Sequence, residues 1–235
     1  VQTNEVRRCA SLLPAFGIVA WEAGDKPLAL VEMGASAGLN LLWDRYGYDY
    51  GDRRYGVVDS SVQLACEPRG ALRPPIPDPL PRVASRVGID LSPVDLGDDD
   101  AVLWLRALIW PEHQERAALL DRAVEAARRD SPPLLAGDAL DLLPRTLADL
   151  PANATRCVYH SLVVNQFSSE ARQRLADIFA ESAKERDLSV VSIEYRDPLH
   201  LQLGLDVYHH GTKAARVLAN CHSHGEWIEW LARDG

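Results

Sequence analysis

Basic side chains are scarce in this chain. Its 235 residues carry 25 Lys and Arg against 34 Asp and Glu, a formal net charge of −9, which argues against nucleic acid as the main partner. Lysine occurs only at Lys26, Lys184 and Lys213. The arginines that outnumber it read as genomic composition bias, not as a phosphate-binding surface. There is also no run of 18 apolar residues and no signal-peptide pattern, so the expectation is a soluble, cytoplasmic protein with no membrane partner. The four cysteines, Cys9, Cys66, Cys157 and Cys221, are widely spaced with no C-x-x-C, which favours reduced thiols over a metal or disulfide framework. No internal repeat is visible. The sequence opens on Val1 rather than Met, which leaves room for residues upstream.

What is present is an ordinary globular composition, 47% hydrophobic and 25% charged, and a length that suits one α/β domain over residues 1–235. The chain is organised around Leu28 to Trp43, LALVEMGASAGLNLLW. Leu28 to Met33 is an apolar run interrupted only by Glu32, too short for a helix. Gly34-Ala35-Ser36-Ala37-Gly38 follows, and Leu39, Leu41, Leu42 and Trp43 then recur at helical spacing. This predicts a buried strand, a tight turn of small residues and a helix start. Small residues let the backbone approach a ligand, and free N–H groups at the helix start can face a polar or anionic group. Two chemistries compete for the turn. As Glu32-x-Gly34-x-Ser36-x-Gly38 it is a nucleotide-type loop. As G-x-S-x-G it is the nucleophile elbow of an α/β-hydrolase, with Ser36 as nucleophile.

In chain order, Asn4 to Ala20 predicts a leading helix with Pro14 as a kink or stop. Tyr46 to Pro81 reads as an insertion, a β-hairpin or small antiparallel flap followed by a proline-rich extended linker. Tyr46, Tyr48 and Tyr50 alternate there, so in a strand they share a face and could wall an acceptor pocket; extending the sheet or forming a homodimer contact is the alternative. Arg86 to Leu91 predicts a strand ending in Asp90, and Asp98 to Asp130 a helical stretch broken at Trp110-Pro111. Further strands are expected at Leu134 to Ala136, Arg156 to Ser161 and Leu188 to Glu194, with helices at Leu140 to Leu150 and Ser168 to Arg186. Leu199 to Tyr208 and Ala214 to Cys221 predict a terminal hairpin. The fold class expected is α/β, a Rossmann-like, doubly wound, mostly parallel sheet with an antiparallel C-terminal hairpin at its edge.

Three acids fall where such a sheet binds ligands: Glu32 late in the first strand, Asp90 at the end of the second, Asp138 just past the third. Carboxylates at those ends can accept hydrogen bonds from ribose hydroxyls and an exocyclic amine, so the set suits an adenosine-containing ligand. These segments carry a resemblance. ALVEMGASAG looks like the first motif of the class I S-adenosylmethionine-dependent methyltransferases, with Ser36 where many members have glycine, and it assigns Glu32, Gly34, Ala35, Ser36 and Gly38 to the cofactor. VGIDLSP resembles their second-strand segment, which implies that Asp90, with Leu91 beside it, holds the ribose. LLAGDALDLLP resembles the third, pointing to Asp138 and Ala139 at the adenine. VYHSLVVNQFS resembles the fourth-strand segment beside the reaction centre, at His160, Ser161 and Asn165. More closely, through GASAGLNLLWDRYGYDY, GIDLSPVDL, WPE and GDALDLLP, the whole chain is similar to an uncharacterised bacterial family of unknown function that is grouped by fold with those methyltransferases. The resemblance implies S-adenosylmethionine as cofactor, a small-molecule substrate, and His160 and Asn165 as catalytic candidates.

Other constellations carry less. Cys221, His222 and His224 form C-H-x-H, which zinc would have to complete from elsewhere; a polar histidine cluster is the simpler reading and no metal is expected. Trp104 and Trp110 are expected to pack the long helix pair against the sheet, and Trp227 and Trp230, at i and i+3, to form a helix face. Asn4, Arg7 and Arg8 could reach a ligand carboxylate, or form a solvated helix face. Three function classes follow: a small-molecule methyltransferase, a methyltransferase-like protein that binds a nucleoside ligand without transfer, and a serine hydrolase using Ser36. The hydrolase needs strands ahead of its elbow and an oxyanion-hole segment, and only 33 residues precede Gly34.

Overall fold

A computed structural model describes residues 4–196 and 199–232. The helix α1 (Arg8–Glu22) leads into the strand β1 (Leu28–Met33), buried at every position. Its side chains alternate between two cores: Leu28 and Leu30 belong to one, Ala29, Val31 and Met33 to the other. A strand covered on both faces reads as a continuous apolar run, which is why Glu32 stands out within it.

A 3-10 helix follows at Leu39–Arg45, then β2 (Gly47–Asp49), β3 (Arg54–Gly56), β4 (Gln63–Ala65) and β5 (Glu67–Arg69). The chain continues through β6 (Val83–Asp90), α2 (Asp99–Ala107), α3 (Gln114–Arg129), β7 (Leu134–Ala136), α4 (Ala139–Ala148), β8 (Thr155–Ser161), α5 (Ser169–Glu185) and β9 (Leu188–Tyr195). It finishes with β10 (Leu201–His209), β11 (Thr212–Cys221) and β12 (Trp227–Trp230). The main sheet has the order β5-β12-β11-β10-β9-β8-β1-β6-β7. Five of its eight strand pairings are parallel, and β9 to β12 pair antiparallel in sequence. From β1 the chain lays β6 and β7 on one side, then returns to lay β8 and β9 on the other. Strand order therefore reverses at β1, and the carboxyl ends of β1 and β8 flank the crevice where open α/β sheets bind ligands. Helices α1 and α3 cover one face; α4 and α5 cover the other.

Several expectations are corrected. The insertion is not a flap: β2 pairs antiparallel with β3 but parallel with β4, and β5 leaves to pair with β12 in the main sheet. Tyr46, Tyr48 and Tyr50 do not wall a pocket. All three are buried in the core, and their hydroxyls donate to the carbonyls of Leu39, Trp43 and Ala10, each at 2.6 Å. Pro14 neither stops nor starts α1, which runs through it. Trp227–Trp230 is strand: Ile228 and Trp230 are buried and their neighbours half-buried, a period of two in place of the helical spacing. Trp104 and Trp110 are exposed because the inward surface of this segment belongs to Leu105 and Ile109. No described helix is long and apolar enough to cross a membrane.

Candidate functional site

The turn after β1 needs glycine at two positions. Gly34 has φ +70 and a Cβ there would lie 2.5 Å from Cγ2 of Val163; Gly38 has φ +71 and would meet Pro132 Cγ at 2.7 Å. Both glycines thus admit protein neighbours. Four of the turn's five N–H groups are spent on protein acceptors. Gly34 and Ala35 N–H donate to the Ile89 carbonyl, Gly38 N–H to that of Ala35, and Ser36 N–H to Asp90 Oδ2 at 2.8 Å. The other Asp90 oxygen accepts Ser92 N–H at 2.9 Å, and Asn4 Nδ2 reaches the Ala35 carbonyl. Asp90 is buried and clamps the turn to the end of β6.

Ser36 itself stands at φ +52, where a non-glycine residue is strained. Its Oγ is buried and finds no hydrogen-bond partner among the described residues, so no base is positioned on it. A nucleophile requires one. Ser36→Ala is accordingly expected to fold as the parent does. A fluorophosphonate probe should label neither protein; labelling of the parent alone would restore the hydrolase.

At the end of β7, Gly137 N–H donates to the Asp90 carbonyl at 2.9 Å, which draws the two strand ends together. Asp138 is exposed and caps α4, its Oδ1 accepting Leu140 N–H at 2.8 Å; Ala139 opens the helix half-buried. Leu91, next to Asp90, is 78% exposed. Behind the turn a groove of about 450 Å³ is lined by Ala37, Val94, Leu96, Leu134 and Arg128, but it touches neither Leu91 nor Asp138. We place the candidate site on the strand ends, where the chemistry lies, and not in that groove.

On the β8 side, Glu32 is buried; its oxygens accept from the Tyr159 hydroxyl at 3.2 Å and from Asn40 Nδ2 at 3.4 Å. Burial pushes its carboxyl up to about 8, against those two hydrogen bonds. His160 is buried with Nδ1 2.7 Å from Glu194 Oε1. The same carboxylate accepts the N–H groups of Val163, Val164 and Asn165. Burial raises the Glu194 carboxyl, but the His160 contact and the backbone N–H groups outweigh it and leave it below the usual range. The Asn165 amide is spent on β9, donating to the Tyr195 carbonyl and accepting its N–H. That is a structural task, and it gives no catalytic one.

Ser161 Oγ accepts from Nη1 of Arg8 at 3.1 Å, while Arg8 Nε donates to the Ser223 carbonyl. Arg8 is buried, so the solvated-face reading of it is wrong. Glu5 pairs with Arg116 at 2.7 Å and with His224 at 3.3 Å. His222 and His224 lie in the turn after β11, not on one strand face, their rings 5.6 Å apart. Among the described residues no group of three or more His, Cys, Asp or Glu is arranged to hold a metal ion. All four cysteines are free and buried.

The structure thus gathers Glu32, Ser36, Asp90, Asp138, His160 and Ser161 along one crest. Sequence reasoning missed Tyr159, which stands inside VYHSLVVNQFS beside His160 and bonds Glu32, and Glu194, which reaches His160 from a distant segment with no motif around it. A family model described as an uncharacterised protein conserved in bacteria, DUF2332, matches residues 1–230. A search of curated proteins finds no match.

Proposed function

Since this chain belongs to the DUF2332 family of uncharacterised bacterial proteins, we propose a function from its own geometry: it binds S-adenosylmethionine on the crest and is a methyltransferase for a small molecule. The observation that carries this is the alignment of the ends of β1, β6 and β7, with exposed Leu91 and exposed Asp138 on adjacent strand ends beside a turn clamped by Asp90. An apolar face and a carboxylate acceptor suit an adenine ring and its amine. When bound, the cofactor supplies a methyl group on a sulfonium. The protein's share is positioning: Leu91 and Asp138 would hold the base, Asp90 would fix the turn beneath it, and the β8 end would border the acceptor.

Ser36, with its hydroxyl unpartnered, fits this reading as a small residue in a tight turn. The test is calorimetric titration of the full chain with S-adenosylmethionine and S-adenosylhomocysteine. Asp138→Ser keeps a good helix cap but withdraws the carboxylate, so its melting temperature should match the parent. Losing a charge-assisted hydrogen bond of about 1.5–3 kcal/mol should weaken binding by roughly 10- to 100-fold. A parent that binds neither ligand overturns the proposal, and binding without any methyl transfer to a panel of acceptors would leave a nucleoside-ligand binder.

A further inference from the structure

His160 and Glu194 form the one close histidine–carboxylate pair on the crest among the described residues. They stand at the ends of adjacent parallel strands, β8 and β9, with Ser192 opposite His160 in register. The carboxylate is held from four directions: by the His160 ring and by three successive backbone N–H groups of the loop after β8. A carboxylate so fixed acts only as an acceptor toward the ring, so Nδ1 carries a proton, and in the neutral ring Nε2 holds the lone pair. Nε2 makes no hydrogen bond among the described residues. The loop after β8 presses Val163 against Gly34, and His160 itself lies opposite Met33 in register, one residue before the turn of β1.

We infer that Glu194 is a positioning residue that presents His160 Nε2 as a general base, and that the acceptor is a small molecule bearing a hydroxyl group. The inference rests on the methyltransferase reading above. An amine attacks with its own lone pair and needs no base at that moment. A hydroxyl oxygen becomes a strong nucleophile only as its proton leaves, and that proton requires a fixed acceptor. Here it passes from the acceptor oxygen to Nε2. The ring becomes an imidazolium paired through Nδ1–H with the Glu194 carboxylate, and it later returns the proton to water. Glu194 never holds that proton and never touches the acceptor.

The test reads His160 directly and needs no acceptor. In the full chain labelled with 15N-histidine, long-range proton–nitrogen correlation spectra should show neutral His160 protonated at Nδ1. Glu194→Ala should shift it toward the Nε2-protonated form, as in free histidine. Diethylpyrocarbonate at neutral pH should modify His160 at Nε2 in the parent, and several-fold more slowly in Glu194→Gln, while exposed His209 and His210 react equally in both. A purely structural pair would leave His160 inert to the reagent in the folded parent, and that result, or an Nε2-protonated ring, overturns the inference. Titrating the parent with S-adenosylmethionine separates the two readings. An inert His160 in a protein that binds the cofactor sinks only the base, whereas no binding sinks the function it rests on.

Discussion

Asp90→Ala should melt below the parent, before any ligand is considered. The substitution strips the acceptor from two backbone donors, Ser36 N–H and Ser92 N–H, at 2.8 and 2.9 Å. The first sits in a buried turn already strained at Ser36, and a buried donor left without a partner costs about 1–3 kcal/mol. Ser92 is exposed and water can replace its partner, so the Ser36 donor predicts a loss of about 1–3 kcal/mol, at roughly 2–4 °C in Tm per kcal/mol for a chain of this size. Asp90→Asn keeps one acceptor oxygen and should fall about halfway. Thermal melts of the three proteins decide the point: an Ala variant within a degree or two of the parent would mean that Asp90 does not hold the turn. Any loss of cofactor affinity in Asp90→Ala therefore reports the turn, which is why Asp138 is the cleaner probe of binding.

Glu32→Gln should behave in the opposite sense and only at high pH. In the folded chain the Glu32 carboxyl titrates near 8, because burial among apolar neighbours outweighs its hydrogen bonds to Tyr159 and Asn40. Unfolded, it titrates at its ordinary 4.5. Between those values the native state binds the proton that the unfolded state has lost, so stability falls as pH rises through this window and levels off above about 8. The span of the fall is on the order of 4 kcal/mol. Glutamine is nearly isosteric with the protonated acid and does not titrate. The variant should match the parent near pH 4.5 and exceed it by up to that amount at pH 9. Denaturant unfolding of both proteins at the two pH values cancels every other titrating group in the difference. A variant less stable than the parent at pH 9, or one with the parent's pH slope, would show that Glu32 is already ionised in the folded chain well below pH 8.

How much of this was legible in the sequence depends on how far apart the partners lie. The strand, turn and helix start at Leu28 to Trp43 read directly, because apolar runs and paired glycines are local signals, although the helix start closes as a 3-10 helix. The strand ends at Asp90 and Asp138 read for the same reason. The alternation of Tyr46, Tyr48 and Tyr50 was visible, but not the direction of their shared face; hydroxyls that suggest a pocket instead satisfy core carbonyls. Trp227 and Trp230 misled because a spacing of three fits a helix, while over four residues the burial period of two decides. Glu194 was invisible. Its meaning arises only once β9 lies beside β8 and its carboxylate meets His160, 34 residues away. The arginines show the same limit: the sequence leaves Arg7 and Arg8 open between a ligand carboxylate and a solvated helix face, and only the tertiary fold buries Arg8 against Ser161 and Ser223.

The contact between Arg8 and Ser223 spans 215 positions, and Gly225 packs with no space for a Cβ against the Arg7 carbonyl. The first helix is thus finished by a turn that lies 215 positions further along the chain. Until that turn arrives, Arg8 has no acceptor at Nε and His224 cannot meet Glu5. A nascent chain can close the parallel half of its sheet early. It cannot complete the crest until the turn at Ser223 has been made, and loop-closure entropy makes such distant contacts the slow ones to form. The chain is therefore committed to its architecture well before it is competent at its crest, and in that interval buried arginine and glutamate stand exposed to solvent and to each other's wrong partners.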